Sequence, residues 1–191
     1  MPDNRRDRLA QDFREMLKLQ ARPYLSWIAT KGELPYAEEY LLDVRLRTYA
    51  LSARGDSYVV GTIDRCTIRV TLWDSYPYVA PSITMMNLPP VFHPDWYSKG
   101  TYCPREPWRP DCPLKDHVLR MLKSLLYDPS ESDTDSPANY KALDWYRKNR
   151  DNTAWFPSDR TPLTENTPEQ IAALEKTAYG VGEIIDSWAI R

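Results

Sequence analysis

The chemistry of this chain concentrates in HPDWYSKGTYC, from His93 to Cys103, where an imidazole, a carboxylate and a thiol share one short stretch. Gly100, Thr101 and Pro104 around the thiol are surface-loop residue types, so Cys103 reads as an accessible nucleophile and not a core residue. A free thiol, with a pKa of about 8.5, is only partly ionised at neutral pH, yet it is strongly nucleophilic and leaves well. His93 reads more readily as a hydrogen-bonding lock on the loop than as a base, and His117 as a residue packed or capping on its helix. Cys66 lies on an alternating strand and reads as a small core residue. Cys112 reads as a structural thiol at a helix start, with pairing to Cys103 on oxidation as the lesser option.

Such a loop needs a rigid frame. Residues Asn4–Gln20 form a predicted helix with Asp3 or Asn4 as cap and Leu9, Phe13, Met16 and Leu17 as one apolar stripe. Its other face carries Arg5, Arg6, Arg8, Arg14 and Lys18, either a solvated face or a docking surface for a partner protein. The apolar cluster Tyr24–Ile28 either extends the packing of this helix or pairs at a sheet edge. Alternation then marks strands at Leu42–Leu46, Tyr58–Ile63, Ile68–Leu72 and Ile83–Met86, whose short links favour an antiparallel meander. YPYVAP at Tyr76–Pro81 is too proline-rich for central strand and reads as a stiff crossover.

Beyond the loop, a helix is predicted from Pro113, with Val118, Leu119, Leu122, Leu125 and Leu126 on a wide apolar face. It leads to DPSESD at Asp128–Asp133. Ser136-Pro137 reads as the start of a further helix through Asn149. Residues 151–166 read as loop, with Trp155 and Phe156 as anchors. Thr167-Pro168-Glu169-Gln170 has the form of a capping box. It opens a last helix carrying Ile171, Leu174, Val181, Ile185 and Trp188, weakened by Gly180 and Gly182 by about 1 kcal/mol each. The expected fold class is α+β: an N-terminal helix, a four-stranded antiparallel meander and C-terminal helices. One domain over 1–150 precedes a loop and helix over 151–191, packed on that domain or on a partner.

Composition narrows the function classes. A net charge of −2 over 191 residues argues against a broad nucleic-acid surface. Seventeen prolines against six glycines leave no phosphate-cradling loop. No apolar run is long enough to span a bilayer, the N-terminus lacks the apolar segment of a signal peptide, and three scattered cysteines suit a reducing cytoplasm. Neither nucleic acid nor membrane is therefore an expected partner.

The order of elements and the motifs together resemble the ubiquitin-conjugating enzyme family over about residues 3–150. YPYVAP is similar to the family's Tyr-Pro-x-x-Pro-Pro crossover, with Ala80 at the first of the final prolines. HPD at His93–Asp95 resembles His-Pro-Asn, with Cys103 following at the family's spacing. Trp108–Pro110 resembles Trp-Ser-Pro, and LLYDP at Leu125–Pro129 resembles Leu-Leu-x-x-Pro. Asp133 falls where family members carry an acidic gate residue. Three departures stand out: Asp95 replaces the asparagine, the interval from Cys103 to Trp108 is shortened, and the region after Asn149 has no counterpart. Together they resemble the divergent conjugating enzymes of bacterial ubiquitin-like modification operons, some of which are antiviral.

The resemblance implies a two-step reaction that needs no cofactor on this chain. An activating enzyme passes the C-terminus of a ubiquitin-like modifier protein to Cys103 as a thioester, and a target amine then attacks it. It also implies catalytic parts for Cys103, Asp133, Asp95 and His93, and a groove shaped by Trp108, Tyr102 and Pro110. Arg5, Arg6 and Arg8 are the residues for partner binding. Asp133 would orient the incoming lysine and help take its proton, an effect worth about 10²–10⁴ in rate. Asp95, when ionised, has no proton to donate to an oxyanion, so backbone amides near Cys103, or Lys99, Tyr102 and Arg105, are the replacement donors. Three rival readings remain: a non-catalytic module of the same fold that binds ubiquitin-like proteins, a zinc site from His93, Cys103, Cys112 and His117, and a cysteine hydrolase using His93 or His117.

Overall fold

A computed structural model of the chain describes residues 4–54, 57–132, 135–152, 154–156 and 163–180. Asp133, the expected lysine-facing acid, lies outside the described residues, as do Asp3, Val181, Gly182, Ile185 and Trp188.

The apolar stripe of the first segment becomes helix α1 (Asn4–Leu17), which buries Leu9, Phe13, Met16 and Leu17. A four-stranded antiparallel sheet follows, formed in the order β1 (Leu25–Lys31), β2 (Glu39–Val44), β5 (Cys66–Thr71) and β6 (Ser82–Met85). Its register aligns Trp27, Leu42, Ile68 and Met85 in one row across the strands, all buried. Side chains in such a row share a face, so the row is the floor of the core. Helix α2 (Leu114–Leu125) contributes Leu114, Val118, Met121, Leu122 and Leu125 to that core. The Trp27 ring meets Phe13 edge-on and its indole N–H donates to the Met16 carbonyl at 3.1 Å, fastening α1 to β1.

The meander has four strands as expected, but their membership differs. The cluster at Tyr24–Ile28 is sheet, supplying most of β1. The strand read at Tyr58–Ile63 is not part of the meander: as β4 (Ser57–Ile63) it pairs only with β3 (Thr48–Arg54), in a separate two-stranded hairpin. β3 escapes sequence reading because its buried residues, Thr48, Tyr49 and Ala50, are consecutive, and its outer half is exposed, so no period-two pattern appears.

A second apolar cluster holds this hairpin down. Tyr49 and Tyr127 pack with Leu143, Tyr146 and Trp145 of helix α3 (Tyr140–Asn149) and with Trp155 and Phe156 beyond it. Helix α3 starts later than Ser136-Pro137: Asn139 is its cap, accepting from the Ala142 amide at 3.2 Å. The capping box before helix α4 (Pro168–Gly180) is formed, with the Thr167 amide donating to Gln170 and the Gln170 amide to the Thr167 hydroxyl. Ile171 and Leu174 of α4, with Leu163, pack against the main core, and Asn166 donates to the Leu17 and Gln20 carbonyls at the end of α1. Among the described residues, no helix is long and apolar enough to cross a membrane.

Candidate active site

The cysteine segment is stitched to the outer edge of β6. The Met85 amide donates to the Gly100 carbonyl at 2.8 Å and the Tyr102 amide to the Ile83 carbonyl at 3.0 Å. Within the segment, residues 95–103 form a small hairpin of their own. Trp96 pairs with Tyr102, the Tyr97 amide donates to Thr101 at 2.9 Å, and the Cys103 amide to the Asp95 carbonyl at 2.7 Å. A three-residue turn with glycine at its left-handed position is a standard closure for such a hairpin, and Gly100 has φ +88°. A Cβ there would stand 3.2 Å from the Met85 carbonyl oxygen, a tight contact added to the torsional strain.

Alternation across this hairpin sorts the side chains. Trp96 and Tyr102 face inward, both buried, with ring centroids 5.3 Å apart. Asp95, Tyr97, Thr101 and Cys103 fall on the other set of positions. Cys103 is half-buried and free, and Tyr97 is 49% exposed. Tyr97 interacts with the Cys103 thiol, and this interaction is the main cause that raises the tyrosine's pKa. Sequence reading missed Tyr97. Its signal was the Ser98-Lys99-Gly100 turn, which sets Tyr97 diagonal to Cys103 once the hairpin is recognised.

His93 is placed as a lock on the turn. It is fully buried, its Nδ1 accepts the Asp95 amide at 3.0 Å, and its ring lies 4.1 Å from that of Tyr127. Burial pushes the imidazole down to about 3, so it stays neutral and holds the turn. The Asp95 carboxylate is buried too, 3.8 Å from the same Nδ1, whose lone pair is already taken. The Asp95 main chain thus binds both His93 and Cys103. The Tyr127 hydroxyl donates to the Phe92 carbonyl, the Phe92 amide to Tyr49 at 2.7 Å, and the Asn139 amide to Pro94 at 3.0 Å. The aromatic cluster and the start of α3 therefore clamp the loop from behind.

The remaining expected groove residues divide. Trp108 is half-buried, donates from its indole to the Pro77 carbonyl at 2.7 Å and packs on Tyr76 and His117, tying the crossover to α2. Pro110 is exposed, with its carbonyl accepting from Arg8. Tyr102, expected in the groove and as an oxyanion donor, is turned into the core beside Trp96 and His117. Lys99 is exposed at the hairpin tip. Arg105 reaches across to the Pro129 and Ser130 carbonyls at 3.4 and 3.3 Å, linking the cysteine loop to the segment that leads to Asp133. On that segment the half-buried Glu131 has its carboxyl pKa raised, mainly by burial.

The basic face of α1 also divides. Arg8, expected on an outward docking surface, is turned inward. It binds Asp12 at 2.7 Å, the Tyr76 hydroxyl at 3.3 Å and the carbonyls of Pro110 and Cys112. Asp12 in turn accepts from the Leu114 amide at 2.9 Å. Helix α2 begins at Pro113 with no side-chain cap of its own, so α1 supplies the cap from across the core. Arg5 pairs with Glu38 at 2.9 Å and Arg6 lies 4.0 Å over the Tyr36 ring, both toward the exterior. Cys66 is sealed in the sheet, where burial pushes its thiol up to about 12. Cys112 is half-buried with its pKa also raised by burial. Among the described residues, no group of three or more histidines, cysteines, aspartates or glutamates gathers in a way that could hold a metal ion.

These features coincide with one family. The model of the ubiquitin-conjugating enzyme family matches residues 60–155, half of the chain, and the chain belongs to that family. A relative from Neurospora crassa, ubiquitin-conjugating enzyme E2 2, is 35% identical over 80 residues, which is 40% of this chain and 49% of the relative. The chain thus spans about half the length of that curated relative. The solved structure of S. cerevisiae Ubc12 superposes with a TM-score of 0.50 at 17% identity, covering 95% of this chain and 84% of that one, a likeness of fold. Members of this family work in ubiquitin-like protein conjugation, with an activating enzyme and a modifier.

Proposed function

We propose that the chain accepts a ubiquitin-like protein from an activating enzyme as a thioester on Cys103 and transfers it to an amine of a target protein. The observation that carries this reading is the half-buried, free Cys103 at the end of a strip fixed to β6. Asp133 is the proposed acid for the incoming lysine, and Asp95 and His93 hold the loop that presents the sulfur. Arg5 and Arg6 remain the proposed docking residues on α1. The replaced asparagine and the shortened loop after Cys103 support membership in a bacterial ubiquitin-like conjugation system, of the kind that includes antiviral operons.

The test mixes the chain with its activating enzyme, modifier and ATP. The expected result is an adduct at Cys103 that thiol reductant releases, and that becomes thiol-resistant in Cys103→Ser. Absence of any adduct would replace this reading by the non-catalytic binding module.

A further inference from the structure

Transfer from a thioester develops negative charge on the acyl oxygen. The amine nitrogen bonds to the carbonyl carbon, and the C=O π pair moves onto oxygen. When C=O re-forms, the C–S bond breaks and its electron pair leaves with sulfur. The proton lost by nitrogen balances the thiolate. A site for this reaction needs a hydrogen-bond donor where the oxyanion forms. The side chain directly opposite Cys103 in the hairpin is Asp95, whose carboxyl is fully buried and, when ionised, only accepts. Tyr102 is buried on the inner side of the strip and Arg105 is engaged with the Pro129 and Ser130 carbonyls.

We propose that the Tyr97 hydroxyl is the oxyanion donor of this site, a catalytic group in place of the donor that the family's asparagine would supply. Tyr97 sits diagonal to Cys103 on the same side of the hairpin, a separation an aromatic side chain can bridge, and is half exposed toward solvent. Oxygen and sulfur are attached to one carbon in the tetrahedral intermediate, so a donor within reach of the sulfur is also within reach of the oxyanion. A tyrosine hydroxyl, with a pKa of about 10, is protonated at neutral pH, as a donor must be. The Tyr97 main chain is fixed at both ends of its turn, by Thr101 and Gly100, so the ring is carried on rigid backbone.

This inference rests on the thioester reading of Cys103, and its test does not need the modifier. In a Cys112→Ser background, Cys103 is acylated chemically with a peptide thioester ending in glycine, and aminolysis by free lysine is followed. Tyr97→Phe keeps the ring and removes the hydroxyl. Aminolysis is expected to slow by about 10²-fold. Alkylation of Cys103 by iodoacetamide, which forms no oxyanion, should change far less than aminolysis. Unchanged aminolysis overturns the proposal. So does an equal loss in aminolysis and alkylation, because the hydroxyl would then act on sulfur alone. Failure of enzymatic loading alongside intact Tyr97 dependence would sink the conjugating function and leave this role standing.

Discussion

Gly100 decides whether the thiol is presented at all. Its positive φ closes the turn, and its carbonyl takes the Met85 amide, so the residue serves hairpin and sheet together. Gly100→Ala adds left-handed strain of about 1–2 kcal/mol. Its Cβ also meets the Met85 oxygen at 3.2 Å. The expected outcome is a melting temperature lowered by about 2–8 °C in calorimetry, together with a reduced adduct yield at Cys103. At this scale the sequence was informative about Cys103, whose loop setting followed from Gly100, Thr101 and Pro104. It was not informative about Arg8. A charged residue on a helix reads as outward, and only the fold reveals that Asp12, Tyr76 and two carbonyls surround it.

The elements depend on one another through such long-range contacts. Helix α2 has no cap of its own, and Asp12 of α1 serves it while compensating Arg8. Removing one partner of a buried ion pair leaves the other uncompensated, at a cost of about 3–5 kcal/mol. Asp12→Ala should lose that much in urea unfolding. Asp12→Asn, which keeps an oxygen for the Leu114 amide, should lose less. The meander was legible because β5 and β6 alternate cleanly and β2 does so over its first four residues. The hairpin partner β3 was not, since what holds it is a tertiary aromatic cluster assembled from Tyr49, Tyr127, Trp145, Trp155 and Phe156. Trp155 and Phe156 were legible as anchors, but nothing in the sequence named their counterpart. That cluster meets the active loop through Phe92 and His93, so the hairpin supports the site from a distance.

Over the whole molecule, two buried histidines contribute to acid sensitivity. Burial holds His93 down to about 3 and His117 to about 4, against about 6.5 in an unfolded chain. Below pH 6.5 the unfolded state therefore binds more protons than the folded one. Their stabilising contribution is complete above that pH and declines as pH falls toward 4, at up to about 1.4 kcal/mol per pH unit for each histidine. Urea melts at pH 7, 5.5 and 4.5 should show this slope, and His117→Leu should flatten it by roughly half. The fold as a whole was readable because its periodic elements and its motifs agreed. The behaviour of these imidazoles was not, because depth of burial is a property of the assembled core. One consequence follows from the way the cysteine strip lies along β6. It occupies main-chain groups that would otherwise stand bare at the rim of the sheet, where a stray neighbour could zip on. The cysteine strip is also the selvedge of the fabric, and variants that slacken it should be screened for clumping as well as for adduct yield.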